Sequence, residues 1–143
     1  MDLELSGLHS LSTPSERRTA IVALEAAMHA IGSLPPESCP VLHHFAPGAY
    51  AREMLLPKGM RVVGKIHKHA HINVISQGCV TVFTEHEGVL TLIAPYTFVS
   101  TPGTKRAVFV HEDTVWTTVH VTDKTNLADI EAEVIATEFE DAL

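Results

Sequence analysis

Three histidines occupy alternate positions in the segment 64–78, which is bounded by glycines: His67, His69 and His71. In an extended strand, side chains two residues apart point to the same face, so the three imidazole rings are expected to project together. A neutral imidazole is the commonest metal ligand that a protein offers. The spacing therefore predicts a site for a divalent transition metal, with Zn, Fe, Mn and Ni as the candidate ions.

The same spacing limits how these histidines can share one ion. On a straight strand, His67 and His71 would lie about 13 Å apart, whereas Zn–N bonds measure about 2.0–2.1 Å. Either the chain bends near residues 68–70, or one of the three histidines is not a ligand. A bend would give a three-histidine site with open positions, which is the usual form of a catalytic metal centre.

Other residues of ligand type lie elsewhere in the chain. We expect His111, in a turn beside two acidic residues, to be a further metal ligand. His120, His44 and Glu53 are alternative contacts for the metal or for a bound small molecule. If no metal binds, the histidine cluster would instead line a polar interior.

Composition excludes several classes of function. With 17 acidic and 10 basic residues, the formal net charge is -7, which argues against a non-specific nucleic-acid binder and against attachment to anionic lipid. Apolar runs are too short to cross a membrane, and the N-terminus shows no signal-peptide pattern. The two cysteines, Cys39 and Cys79, make no disulfide framework and predict free thiols in a cytoplasmic protein.

The N-terminal part of the chain, residues 1–48, predicts an arm, a helix and a linker. The sequence Thr13-Pro14-Ser15-Glu16 is typical of a helix start, because threonine can cap, proline fits the first turn and glutamate can complete a capping box. Apolar residues then recur at helical spacing as far as Ile31. Four prolines in residues 34–48 indicate a linker over the domain surface.

The pattern in residues 49–122 predicts a β-barrel, and that in residues 123–143 predicts a C-terminal amphipathic helix. Together with residues 1–48 they are expected to form one structural domain. Short loops favour antiparallel neighbours, and many short strands with turn signals are typical of a closed or sandwich-like barrel. The predicted strands cover 49–56, 60–66, 72–76, 79–85, 89–93, 96–100, 106–110 and 114–121.

Residues 49–121 resemble the cupin superfamily. Pro57-Lys58-Gly59 and Gly78 match the framework of its first motif, with the histidine cluster in the corresponding region, and Ser100-Thr101-Pro102-Gly103-Thr104 matches the turn of its second. The segments 64–68, 102–106 and 111–116 are also similar to small cupin-like proteins of tailed phages. The resemblance implies a mainly β fold: a single cupin-like antiparallel β-barrel (jelly roll) with two flanking α-helices. Because cupins commonly pair, it also implies a homodimer.

The resemblance also implies which positions face the barrel interior. If Gly78 is the family's glycine, the family's glutamate falls on His71, its second histidine on His67 and its first on Lys65; the histidine of the second motif falls on Arg106. In a different register, the pair would be His67 and His69. Cations at two ligand positions would favour a small anionic molecule, unless Lys65 and Arg106 simply face solvent.

Two functional hypotheses follow from these residues. The first is a metal-binding small cupin that holds a small anionic molecule, with a metal that could polarise a carbonyl or activate water or dioxygen. The reaction stays open, because this fold supports many chemistries. The second is a non-catalytic module that binds a ligand or a protein, such as an accessory protein of a phage acting in the host cytoplasm.

Overall fold

The structure, a computed structural model, describes residues 13–31 and 39–135. They form a mainly β fold with two helices, as the sequence predicted. The elements in chain order are α1 Pro14–Ile31, β1 Val41–Ala46, β2 Ala49–Leu56, β3 Arg61–Val63, β4 His71–Gln77, β5 Cys79–Thr84, β6 Gly88–Ile93, β7 Tyr96–Ser100, β8 Arg106–Val110, β9 Thr114–Val121 and α2 Leu127–Val134. The predicted N-terminal arm (1–12) and the acidic C-terminal end (136–143) lie outside the described residues.

Two antiparallel sheets face each other. The five-stranded sheet has the order β1-β2-β9-β4-β7, and the four-stranded sheet has the order β3-β8-β5-β6. Alternate residues along the strands point inward, as in β9, where the burial pattern changes at every residue. The inward apolar side chains make the main core, which includes Leu56, Ile75, Val82, Val108 and Trp116.

The linker predicted for residues 34–48 is wrong for Val41–Ala46, which form strand β1. This strand pairs along its whole length with β2, from Val41 opposite Met54 to Ala46 opposite Ala49. It lies at the edge of the sheet and is mostly exposed, so its sequence lacks the apolar alternation that identifies a half-buried strand. The prolines on either side of β1 lie outside it, where they remove no ladder hydrogen bond.

Helix α1 begins as predicted and covers the outer face of the four-stranded sheet. The Glu16 N–H donates to Thr13 Oγ1 at 3.1 Å, and Ile21 is buried against Phe83 and Ala107. The helix is also fixed by charge, because Lys105 Nζ lies 2.8 Å from the carboxylate of Glu25. Among the described residues, no helix is both long and apolar enough to pass through a bilayer.

Helix α2 packs across one end of the space between the sheets. Its N-terminus is capped by Asn126, whose side chain accepts a hydrogen bond from the Asp129 N–H at 3.2 Å. The buried side chains of Ile130 and Val134 contact Tyr50 of β2. This helix therefore closes the end of the interior that contains the candidate site.

Candidate metal centre

A cavity of about 480 Å³ lies between the sheets beneath α2. Its walls combine apolar side chains from the core with a group of polar side chains. The polar residues that the following argument uses are His43, Tyr50, Arg52, Lys65, His67, His71, Asn73, Arg106, His120 and Glu131.

Three histidines converge in this cavity: His67, His71 and His120. One ring nitrogen from each lies within 4.8 Å of the others. The ring centroids are 4.2 Å apart for His67 and His71, 4.9 Å for His71 and His120, and 5.2 Å for His67 and His120. The chain bends at residues 68–69. The spacing of His67 and His71 in the sequence required such a bend if they were to share one ion.

Strand register brings His71 and His120 together. Strands β4 and β9 are neighbours, and the register that pairs Ile72 with Val119 places His71 opposite His120. Both side chains point inward, since successive residues of a strand alternate between faces. They are almost completely buried, with 5% and 6% of their surfaces exposed.

His67 lies on the loop before β4 and is held from two directions. Its carbonyl accepts a hydrogen bond from the Gly103 N–H at 3.0 Å, and Gly103 adopts a positive φ of 80°, a conformation that favours glycine. On its other side, His67 forms a β-bridge with Ile135, and the Lys68 N–H donates to the Val134 carbonyl at 2.7 Å. The second-motif turn and α2 therefore both position this histidine.

Asn73 fixes the inner wall behind His71. Its amide nitrogen donates to Ser100 Oγ at 2.6 Å, and its carbonyl oxygen accepts from Trp116 Nε1 at 3.0 Å. Because all three residues are buried, these bonds hold the strand rigidly where the polar cavity meets the apolar core.

Burial keeps the three imidazoles neutral. It lowers the pKa of His67 to about 3, with further lowering by the nearby His71, His120, Arg106 and Arg52. Burial also lowers the pKa of His120 to about 4. The pKa of His71 falls for the same reason, although contacts with the His69 backbone and the Asn73 side chain offset part of the effect. Near neutral pH, each ring therefore offers a lone pair to a metal ion.

The donor set fits a transition metal. His71 Nδ1 is buried and makes no hydrogen bond of good geometry within the described residues, and a buried polar atom without a partner is costly. Imidazole nitrogen is a preferred ligand of Zn, Fe and Ni. Three protein ligands would leave coordination positions open to a water or a substrate.

Four residues predicted as ligands lie outside this cavity. His69 is exposed. His111 Nε2 hydrogen-bonds Thr81 Oγ1 at 2.6 Å, and its ring packs on Phe109, on the α1 side of the four-stranded sheet. His44 and Glu53 contact each other at 2.8 Å on the outer face of the five-stranded sheet. Their assignment as ligands stays a prediction from the sequence.

Lys65 and Arg106, at family ligand positions, both line the cavity. Lys65 forms an ion pair with Glu131 of α2. The Arg106 guanidinium carbon lies 5.3 Å from the ring centroid of Phe98, and burial lowers the pKa of Arg106. Both residues therefore contribute to the cavity wall, although the Lys65 side chain is 65% exposed, and their role in binding stays a prediction.

Three further cavity residues were not predicted as site residues: His43, Tyr50 and Arg52. Tyr50 OH lies 2.6 Å from His43 Nδ1, and its ring stacks 6.1 Å from that of His120. Burial raises the pKa of Tyr50, so its phenol is neutral. The available signal was the alternation of β2, in which residues 50, 52, 54 and 56 share the inward face.

Comparison with solved structures identifies the fold. KdgF from Halomonas sp. is 18% identical, with a TM-score of 0.54 over 68% of this chain and 89% of that one. A cupin superfamily protein from Desulfitobacterium hafniense is 8% identical, with a TM-score of 0.51 over 66% of this chain and 86% of that one. For a cupin 2 domain-containing protein from Halorhodospira halophila, the identity is 13%, the TM-score 0.51 and the coverage 71% and 80%.

These similarities confirm the cupin fold predicted from the motifs. No family model and no curated protein sequence matches the chain. The fold and the site together define a cupin-fold protein with a histidine-lined cavity compatible with metal binding. The narrower resemblance to tailed-phage proteins stays a prediction.

Proposed function

We propose that this protein is a small metal-binding cupin that holds a small anionic molecule in its cavity. The observation that supports the metal is the convergence of three neutral imidazoles, one of which has a buried nitrogen with no hydrogen-bond partner among the described residues. The observation that supports the anion is the presence of Arg52 and Arg106 in the same cavity.

The histidines and the cations would have separate tasks. His67, His71 and His120 would hold a divalent Zn, Fe, Mn or Ni ion. When bound, such an ion can polarise a carbonyl or activate water or dioxygen. The arginines would orient the anionic molecule, and α2 would exclude water from the cavity.

A second candidate is a non-catalytic module that binds an anion directly, without a metal. An accessory protein of a phage is one example of such a module. What favours it is charge: the metal-binding group of His67, His71 and His120 contains no carboxylate, and two guanidinium groups lie in the same cavity. A metal cation would be repelled by them unless an anion also binds.

We also propose a homodimer that forms through the outer face of the five-stranded sheet. Ile72, Val99 and Val121 are exposed there, Val121 by 88%, and exposed apolar faces commonly pack against a partner. A dimer mass by sedimentation equilibrium that shifts to a monomer in a Val99→Glu variant would support this assembly, and a monomeric wild type would refute it.

A cytoplasmic location, in the host cell if a phage encodes the protein, remains part of the proposal. The free thiols of Cys39 and Cys79 support it. Cell fractionation tests it, and recovery from the medium or the cell envelope would contradict it.

The test of the metal proposal is elemental analysis of protein purified without a histidine tag. We expect about one equivalent of a transition metal per chain in the wild type. Single His67→Ala, His71→Ala and His120→Ala variants should lose it, because each removes one of three donors. His69→Ala and His111→Ala are matched controls that should keep it.

The outcomes separate the candidates. Absence of metal, even after incubation with Zn, Mn, Fe and Ni in turn, would refute the metal proposal and favour the anion-binding module. Loss of metal in the His69 or His111 variant, with circular dichroism unchanged, would instead restore the ligand set read from the sequence.

A further inference from the structure

Two arginines approach the cavity from opposite sheets. Arg52 lies on β2 of the five-stranded sheet, and Arg106 on β8 of the four-stranded sheet. Both line the cavity, and both are close enough to His67 for their charges to disfavour its protonation. His67 therefore lies within electrostatic range of both guanidinium groups.

Among the described residues Arg52 forms no salt bridge, and the Glu131 carboxylate, which pairs with Lys65, acts on it only from longer range. Arg52 Nη1 donates to Met54 Sδ at 2.7 Å, but a thioether is a weak acceptor with no charge. In the part of the chain that the structure describes, no carboxylate comes within 4 Å of this guanidinium. A half-buried guanidinium with five donors is thus left without a carboxylate in direct contact.

Arg106 is in a similar position. It rests over the ring of Phe98, and burial disfavours its charged form. The carboxylates of Glu85 and Glu87 act on it only from longer range, and across residues 13–31 and 39–135 none forms a salt bridge with it. Glu85 instead accepts a hydrogen bond from the Lys105 backbone at 3.0 Å.

The charge of the cavity is therefore unbalanced. Lys65 forms an ion pair with Glu131, whereas neither arginine has a salt-bridge partner among the described residues. Two positive charges remain, and a divalent metal would add two more. Because a buried charge without a counter-charge is costly, a ligand with two negative charges suits this cavity better than a ligand with one.

The sheet register places the backbone of Arg52 well away from that of Phe98, the residue that Arg106 covers. Arg52 pairs with Thr118, Thr118 with Asn73, and Asn73 with Phe98. Arg52 and Phe98 thus lie three strands apart, on the order of 14 Å between backbones in a flat sheet. Arg106 extends from the opposite sheet and lies over Phe98, so the two guanidinium groups enter the cavity from different walls, and each could hold its own carboxylate.

We propose that the anionic molecule is a small dicarboxylate, with one carboxylate held by Arg52 and the other by Arg106. This rests on the anion binding of the proposed function and specifies its substrate class. The planar fork of arginine matches a carboxylate in two parallel hydrogen bonds. The middle of the molecule would then pass beside His67, within reach of a metal held by the three histidines.

Isothermal titration with glutarate and adipate tests this, with butyrate and inorganic phosphate as comparison probes. We expect the better dicarboxylate to bind at least about tenfold more tightly than butyrate or phosphate. Arg52→Gln and Arg106→Gln should each weaken its binding by roughly ten- to a hundredfold, while Arg→Lys variants should recover part of the loss. Lys58→Gln, which removes one exposed charge far from the cavity, should change nothing.

Each titration is repeated after removal of metal by a chelator, with unfolding midpoints checked for every variant. Butyrate or phosphate binding as tightly as the dicarboxylate would overturn the proposal. So would unchanged dicarboxylate binding in either Arg→Gln variant, which would mean that a metal or another group alone takes the carboxylates. Arginine-dependent binding that persists in protein unable to hold metal would support the dicarboxylate site while refuting the metal centre.

Discussion

The two ends of the interior are built from the same strands but contain opposite kinds of side chain. At one end, a row across β2, β9 and β4 is apolar: Met54, Trp116 and Ile75. At the other end, four residues away on each strand, the corresponding row is Tyr50, His120 and His71. All six side chains face inward, so strand alternation alone does not distinguish the dry core from the cavity.

The difference teaches how stability and function divide within one small fold. The apolar end is closed by its own packing, and its burial supplies the main driving force for folding. The polar end contains buried imidazoles, guanidinium groups and a His71 nitrogen that has no hydrogen-bond partner in residues 13–31 and 39–135. Such groups cost stability unless a ligand satisfies them, so this end is where a ligand should bind.

The largest expected effect is at the apolar end. Trp116→Ala should lower the free energy of unfolding by about 3–5 kcal/mol, because it leaves a cavity in the core and removes the partner of Asn73. Urea denaturation of the metal-free protein measures this. Ile93→Ala on β6, at a 66% exposed position outside the proposed dimer face, should cost less than about 0.5 kcal/mol.

A larger stability loss from the exposed substitution than from the core substitution would contradict this division between the two ends. If Trp116→Ala is tolerated at a cost below about 1 kcal/mol, the apolar end does not carry the stability of the fold. A comparable loss in Ile93→Ala would contradict the division too, because an exposed side chain would then contribute as much stability as the core.

Acid should destabilise the polar end. For a histidine whose folded pKa is depressed, the unfolded chain binds more protons, so stability is present above pH 6.5 and is lost as pH falls toward the folded pKa. Burial lowers the pKa of His120 from 6.5 to about 4. Metal-free protein should therefore lose about 3 kcal/mol through this group alone between pH 6.5 and 4.

Urea denaturation at a series of pH values measures this loss. The control is His120→Gln, which retains a polar side chain that does not titrate. This variant should show a shallower decline in stability between pH 6.5 and 4. Identical pH profiles for the variant and the wild type would refute a buried, neutral His120 in the folded protein.

Most of the helices and strands could be predicted from the sequence, because turns, alternation and helix caps depend on residues close together in the chain. The glycine turns and the alternation along β2 and β9 identified these strands, and the cap at Thr13 identified α1. The edge strand β1 was missed because its exposed residues follow no period. Gly78, taken as a motif residue, has φ 98° and lies so close to Asp113 that a Cβ would come within 2.6 Å of the Asp113 carbonyl oxygen.

The site was only half predictable. His67 and His71 lie close in sequence, and their spacing required the bend that the structure contains. His120 joins them through the pairing of β4 with β9, and Arg52 joins through the pairing of β2 with β9. These registers depend on the whole sheet, so spacing along the chain could not rank His120 above His69 or His111 as a partner of His67.

The smallest expected effect concerns the cover of the polar end. Asn126→Ala removes the cap of α2 and should cost about 1 kcal/mol, mainly by local fraying. The Lys68 amide, which donates to Val134, should then exchange its hydrogen about fivefold faster. Amides of β5 should keep their wild-type rates, and Asn126→Asp, which preserves the cap, should restore protection. Equal acceleration in β5 would mean that α2 and the apolar end unfold as one unit, and that the two ends of the interior are not independent.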